Sequence, residues 1–480
     1  MIKTIPIDRN IPQKLLDAAY LKREYPIYPM LGLAGTIAGT ALAIFLLPEK
    51  IATEEALFPS AVIMTIGLLF APALAILRSP RTIFRAEHIL VLSPIYWLLL
   101  DLLQKVYVIE EFWRSGVQGA FFGIGLFVSG AWIAALMKPW RLPASLMKAA
   151  AHKLSSKTLF RLILVFFSLG IIKYAYPCGF NPIVMISSLF LDRWSAPWAR
   201  GALGGWNSFV DQIEYFGYLL PTLTILLILR SNRFTYQIAL SSFFSVFFAI
   251  FLAQGGNRRI IGVIFGAAII CWVLEQHKLK IKHLIISLLS VALLLSIMQT
   301  MLNFRNTGFK AVLDRSEVLK ETDDYLHVDD NFYRLSQTIE IVPNYRPYVY
   351  EKQIIWALIR PIPRALWANK PIDPGFNLAT TIGAEGVALT HSVIGDWYIT
   401  FGWTTVFLGG WLYGALARMI SNLLVKDSGS GRAIVYSLFV MALFAGVRSM
   451  IDIILMNYAL LAWMFVSWIL LPKIRQSSHT

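Results

Sequence analysis

Glu385, His391 and Asp396 lie in and just before the run SVIGDWYITFGWTTVFLGGWLYG (392–414), and each can accept a proton, which is the work of a general base. Two short glycine-flanked strings elsewhere carry arginines: GGNRR, with Arg258 and Arg259, and GVRSMID, with Arg448 and Asp452. A guanidinium is permanently charged and presents a planar fork of N–H donors, so arginines held in tight turns point to an anionic partner. Arg258 and Arg259 also open an apolar segment, where free N–H groups and a positive helix end would add to an anion site. A further pair, Arg360 and Arg364, sits in QIIWALIRPIPRALW (353–367). Blander roles are open to all of them: the turn arginines could grip lipid headgroups or pair with Asp211 or Asp452, and 353–367 could be a plain amphipathic anchor.

The elements that must position these groups follow from composition. Of 480 residues, 57% are hydrophobic and only 15% charged, with mean hydropathy +0.62; a soluble chain carries about 25% charged residues. The apolar residues fall in blocks of roughly 20, the length a helix needs to cross a ~30 Å hydrocarbon slab. Such windows lie near 29–47, 59–77, 87–103, 116–137, 158–176, 213–229, 235–253, 259–274, 283–301, 396–419, 433–447 and 452–471. The expected fold class is an all-α polytopic membrane protein with about 12 transmembrane helices and a large external loop. The net charge of +15 therefore divides between two sides of a membrane and does not call for nucleic acid. Lysine and arginine crowd the loops on the side of the N-terminus, which the positive-inside rule makes cytoplasmic, and both termini with them.

The resulting organisation is a cytoplasmic segment 1–28, helices 1–9 over 29–301 with an external loop 177–212, a large external loop 302–395, helices 10–12 over 396–471, and a tail 472–480. No signal peptide is expected at the polar N-terminus. Asp101, Lys173, Asp211, Glu214, Asp396 and Asp452 all fall toward the external ends of their spans, and intramembrane charges normally face protein or water. An external polar cavity follows. The large loop is charge-segregated: 314–330 has seven acids and two bases, whereas 331–372 is basic. Within it, 353–367 reads as an interfacial helix with Arg360 and Arg364 at headgroup level. Gly402, Gly409, Gly410 and Gly414 would let the tenth span pack closely on a neighbour. Cys178 and Cys271 are far apart in sequence and form no metal or redox motif. Phosphate loops, H-E-x-x-H, G-x-S-x-G and a D-x-D pair for a metal–nucleotide sugar are all missing, so no metal or other cofactor is expected. An enzyme outside the membrane would take its activated group from a lipid carrier.

About twelve spans, GGNRR opening the eighth, a large loop ending in IRPIPRALWANKP (359–371), and then SVIGDWYITFGWTTVFLGGWLYG (392–414) resemble the bacterial O-antigen or oligosaccharide repeat-unit polymerases of the Wzy type. The resemblance covers roughly residues 170–470, and the position of His391 is similar to that of the histidine after the large loop in the related O-antigen ligases. The acidic half of the loop has no counterpart in the resemblance. It implies a GT-C-like fold in the bacterial inner membrane and metal-independent transfer of a glycan from undecaprenyl pyrophosphate to another lipid-linked repeat unit. It also implies membrane lipids, a flippase and a chain-length regulator as partners. On that basis Arg258 and Arg259 would hold the pyrophosphate, Arg360 and Arg364 the pyrophosphate or glycan, and Arg448 would be a further anion ligand. His391 or Asp396 would be the general base, with Glu385 next. A ligase-like transferase shares these features, and a lipid-linked oligosaccharide flippase or other transporter is the alternative from another class. The latter calls for internal repeats and charges through the midplane, which the sequence does not display.

Overall fold

The computed structural model describes residues 27–470 except 52, 54, 107–112, 200–207, 232, 277–278, 305–308, 310–324, 327, 361, 372, 385–388 and 426–429. The expected terminal segments, Glu385 and most of the acidic run 314–330 thus lie largely or wholly outside the described residues. No strand occurs among those described. Nine described helices are long and apolar enough to cross a membrane: Ile27–Phe45, Phe58–Arg78, Ala86–Leu103, Arg114–Leu136, Ser156–Cys178, Phe209–Arg230, Tyr236–Gln254, Ile281–Leu302 and Met450–Ile469. The chain is a multi-pass α-helical membrane protein. The three remaining apolar windows fall on Arg258–Leu274, Ser392–Val425 and Gly431–Gly446.

Helix Arg114–Leu136 is central and packs along Ser392–Val425. Small residues make this approach possible: a Cβ on Gly410 would collide with the Phe127 carbonyl, and one on Gly414 with that of Ala131. In hydrocarbon, where apolar side chains gain little from each other over lipid, such backbone proximity supplies the packing. The expectation of four packing glycines holds for these two. Gly402 does something else. The backbone leaves helical geometry at Phe401 and Gly402, whose φ of +66° is a conformation that favours glycine. Thr405 repairs the break, its hydroxyl accepting from the Phe401 N–H at 3.1 Å and donating toward the carbonyls of Trp397 (2.6 Å) and Gly402 (2.9 Å). A window read as one continuous apolar span near 396–419 is therefore broken, since Gly402 permits a turn that hydropathy does not register.

Two other expectations change. The charges are not confined to one end of the bundle: Glu87, 2% exposed at the start of Ala86–Leu103, lies 3.1 Å from Arg85 and 3.7 Å from Arg418 and accepts from Ser421 at 2.5 Å. Two guanidiniums and a hydroxyl satisfy a carboxylate that the apolar window 87–103 conceals. The interfacial helix is also shorter than 353–367. It runs Lys352–Ile359, and the chain turns at Arg360 ahead of two prolines, which cannot supply helical N–H donors.

Candidate functional site

Arg258 and Arg259 begin helix Arg258–Leu274, while Arg448 lies in the turn between Gly431–Gly446 and Met450–Leu470. The fold brings the three together around two aspartates. Arg259 Nη1 donates to both carboxylate oxygens of Asp452, at 2.8 and 2.9 Å. Arg448 Nη1 reaches Asp452 Oδ2 at 3.0 Å, Nε reaches Asp329 Oδ2 at 2.5 Å, and Nη2 reaches the Thr390 hydroxyl at 3.2 Å. Arg258 Nη2 takes the other oxygen of Asp329 at 2.9 Å and also donates to the Val328 carbonyl. Burial alone would raise the Asp329 pKa, but the charges of Arg448 and Arg258 outweigh it and hold the carboxyl below the usual range. In these ion pairs three guanidiniums face two carboxylates.

The same turn connects the cluster to His391 and Asp396. Thr390, the partner of Arg448, immediately precedes His391, and Val393 N–H donates to the Val447 carbonyl at 3.0 Å. Asp396 is buried and heavily engaged: it accepts from Gln353 Nε2 at 2.6 Å, from the Met450 N–H at 2.7 Å and from the Ser449 hydroxyl at 3.3 Å. By accepting from Met450 it satisfies one of the free donors at the start of Met450–Leu470. His391 Nε2 stands 3.3 Å from Asp396 Oδ1, within ion-pair reach but off hydrogen-bond geometry, so both buried ring nitrogens have no hydrogen-bond partner among the described residues. An imidazole beside a fixed carboxylate is the arrangement in which the carboxylate orients the ring and steadies the imidazolium formed when it takes a proton. Asp396 itself, spent on a helix start and on Gln353, is better suited to that supporting role than to proton removal.

The remaining sequence-predicted arginines make other contacts. Arg364 turns back on its own loop, donating to the carbonyls of Lys370 (2.7 Å), Pro371 (3.3 Å) and Ala368 (3.4 Å). Arg360 stacks on Trp356, its guanidinium carbon 5.5 Å from the ring centre. Lys370, buried between them, donates to the carbonyls of Arg360 (2.9 Å) and Ile362 (2.8 Å); burial and then the two arginines depress its pKa. Asp211 is not the partner of any cluster arginine in these contacts; Lys173 pairs instead with Glu214 at 2.5 Å. The pairing with Asp452, weighed as a blander role for the arginines, does occur.

Asp329, Gln353, Thr390 and Ser449 were not singled out by sequence reasoning. For Asp329 a signal existed, since it is the next-to-last residue of the acidic run 314–330, whose role was open; for the polar three, nothing in composition or spacing marks them. Among the described residues, no three His, Cys, Asp or Glu side chains gather as ligands for a metal ion. No family model, curated protein or solved structure matches the chain.

Proposed function

We propose that this protein is a membrane glycosyltransferase, a repeat-unit polymerase that extends a lipid-linked glycan at the outer face of the bacterial inner membrane, with twelve spans, a GT-C-like arrangement and both termini cytoplasmic. The observation that carries this reading is the convergence of Arg258, Arg259 and Arg448 with the His391–Asp396 pair around one turn of the bundle. In the reaction, the acceptor hydroxyl oxygen forms a bond to the anomeric carbon of the donor glycan as the bond from that carbon to the pyrophosphate oxygen breaks. The hydroxyl proton goes to His391, and the electron pair leaves with undecaprenyl pyrophosphate. Guanidiniums suit the departing group because their forked donors meet phosphoryl oxygens where charge develops. No step needs a metal ion. Glu385 stays a candidate base, and Arg360 with its Trp356 platform suits contact with sugar.

A flippase or other transporter would use charges near the middle of the bundle. Arg85, Glu87 and Arg418 lie at the opposite end from the arginine cluster, since Glu87 starts the helix whose other end carries Asp101, which accepts from the N–H of Val328, the residue whose carbonyl Arg258 holds. The test is reconstitution of the purified protein in vesicles with a polyprenyl-pyrophosphate-linked repeat unit and lipid A core as a competing acceptor. A ladder of products that persists in chelator supports the polymerase; transfer of a single glycan to lipid A core, or movement of the substrate without new bonds, overturns it.

A further inference from the structure

Asp329 completes the arginine cluster from outside the helices. Its two carboxylate oxygens go to different guanidiniums, Oδ1 to Arg258 and Oδ2 to Arg448. Two oxygens of one phosphoryl group would bridge the same pair of forks. We infer that Asp329 is a built-in competitor for this site: its side chain holds the place of a phosphoryl group between Arg258 and Arg448, and the incoming pyrophosphate displaces it. This rests on the reading that the cluster binds the carrier's pyrophosphate.

The two aspartates of the cluster are built for different roles. Asp452 lies four residues from Arg448, in the first turn of Met450–Leu470, and its side chain is 7% exposed. It is a fixed counter-ion. Asp329 lies in a non-helical stretch just before helix Asn331–Ile341, and 25% of its side chain is exposed, so an anion can approach it.

The backbone around Asp329 is anchored without its carboxylate. Gln104 clasps Leu326 twice, its amide nitrogen donating to the carbonyl at 3.0 Å and its oxygen accepting from the N–H at 2.8 Å. The Val328 N–H donates to Asp101, and Asn331 Nδ2 donates to the Trp97 carbonyl at 3.1 Å. Displacement therefore requires only a side-chain rotation. It would free one donor on Arg258 and one on Arg448, aimed at a common point, and exchange one negative charge for a more highly charged group. Until then the carboxylate screens two like charges and keeps weaker anions out.

The test is binding of inorganic pyrophosphate, in chelator, to the full-length protein in nanodiscs by calorimetry, for wild type, Asp329→Asn, Asp329→Ser, Asp452→Asn and Arg448→Gln. Removing the competitor raises the fraction of sites ready to bind, so both Asp329 variants should bind about tenfold more tightly than wild type. Asp452→Asn should bind more weakly, and Arg448→Gln should lose binding. Wild-type binding that Arg448→Gln abolishes but that neither Asp329 variant strengthens would overturn the competitor and leave the pyrophosphate site standing. No Arg448-dependent binding to wild type or to either Asp329 variant would remove the site itself, and the competitor with it. Because serine and asparagine differ in size and bonding, a fold defect in one leaves the other to decide, with ligand-induced thermal shifts as a second readout of the same order.

Discussion

His391 and Asp396 are adjacent but not interchangeable, and variants should separate them. His391→Ala removes only the imidazole, so polymer formation should fall while carrier binding persists; unchanged ladders from this variant would move the base elsewhere. Asp396→Ala also removes the acceptor of the Met450 N–H at the start of Met450–Leu470 and should lower thermal stability by about 1 kcal/mol, the usual cost of a lost helix cap. For the arginines, lysine is the discriminating substitution because it keeps charge and loses the fork. Arg448→Lys and Arg258→Lys should each cost roughly a hundred- to thousandfold in turnover, whereas Arg364→Lys should act mainly through the loop that Arg364 ties together. Near-normal ladders from the two cluster variants would reduce those residues to structural ion pairs. Asp329 adds a pH signature. Its folded pKa lies below the ordinary value, so its contribution to stability is present above the unfolded carboxylate pKa of about 4 and is lost as pH falls through the folded pKa. Thermal melts of wild type and Asp329→Asn should therefore converge on strong acidification. A gap that stays constant down to pH 2 would show that the carboxylate is not the source.

At the scale of elements, the pair Arg114–Leu136 and Ser392–Val425 carries the site, because the second helix begins at Ser392, directly after His391. Gly410→Ala should be costly despite its size: the added methyl enters the Phe127 carbonyl, and backbone cannot yield as a side-chain end does. We expect a loss of about 1–3 kcal/mol, read as a lower melting temperature in detergent, with an equal melt contradicting the close packing. The break at Phe401–Gly402 explains why hydropathy and structure part company within one segment. Hydropathy sees a continuous apolar run, but the positive φ of Gly402 and the Thr405 hydroxyl allow the backbone to turn inside it. Pro361 and Pro363 work in the opposite sense: both are visible in the sequence, and the helix expected over 353–367 stops at Ile359, ahead of them.

Across the whole molecule, the orientation and the ion pairs at the two ends of the bundle are separately testable. A reporter fused after Asp373 should be active only outside the cytoplasm; activity confined to the cytoplasm would reverse the orientation and with it the proposed outer-face chemistry. Glu87→Gln should destabilise the protein by about 3–5 kcal/mol, the cost of leaving buried partners uncompensated, and should do so without changing anion binding at the other end. The amino-acid sequence by itself determined the class of this protein, because the energy of placing apolar helices in hydrocarbon depends on composition along the chain and hardly on neighbours. It also singled out Arg258, Arg259, Arg448, His391 and Asp396, since charges in apolar surroundings are conspicuous. Which of these meet was decided only by tertiary structure. Arg258, Asp329 and Arg448 are separated by 71 and 119 positions, and no periodicity encodes a contact between them. Arg364 looked equal to Arg258 in sequence, but local carbonyls claim it. Gln353 and Thr390 carry no charge to announce them, and they enter the site only because helix packing sets one against Asp396 and the other against Arg448.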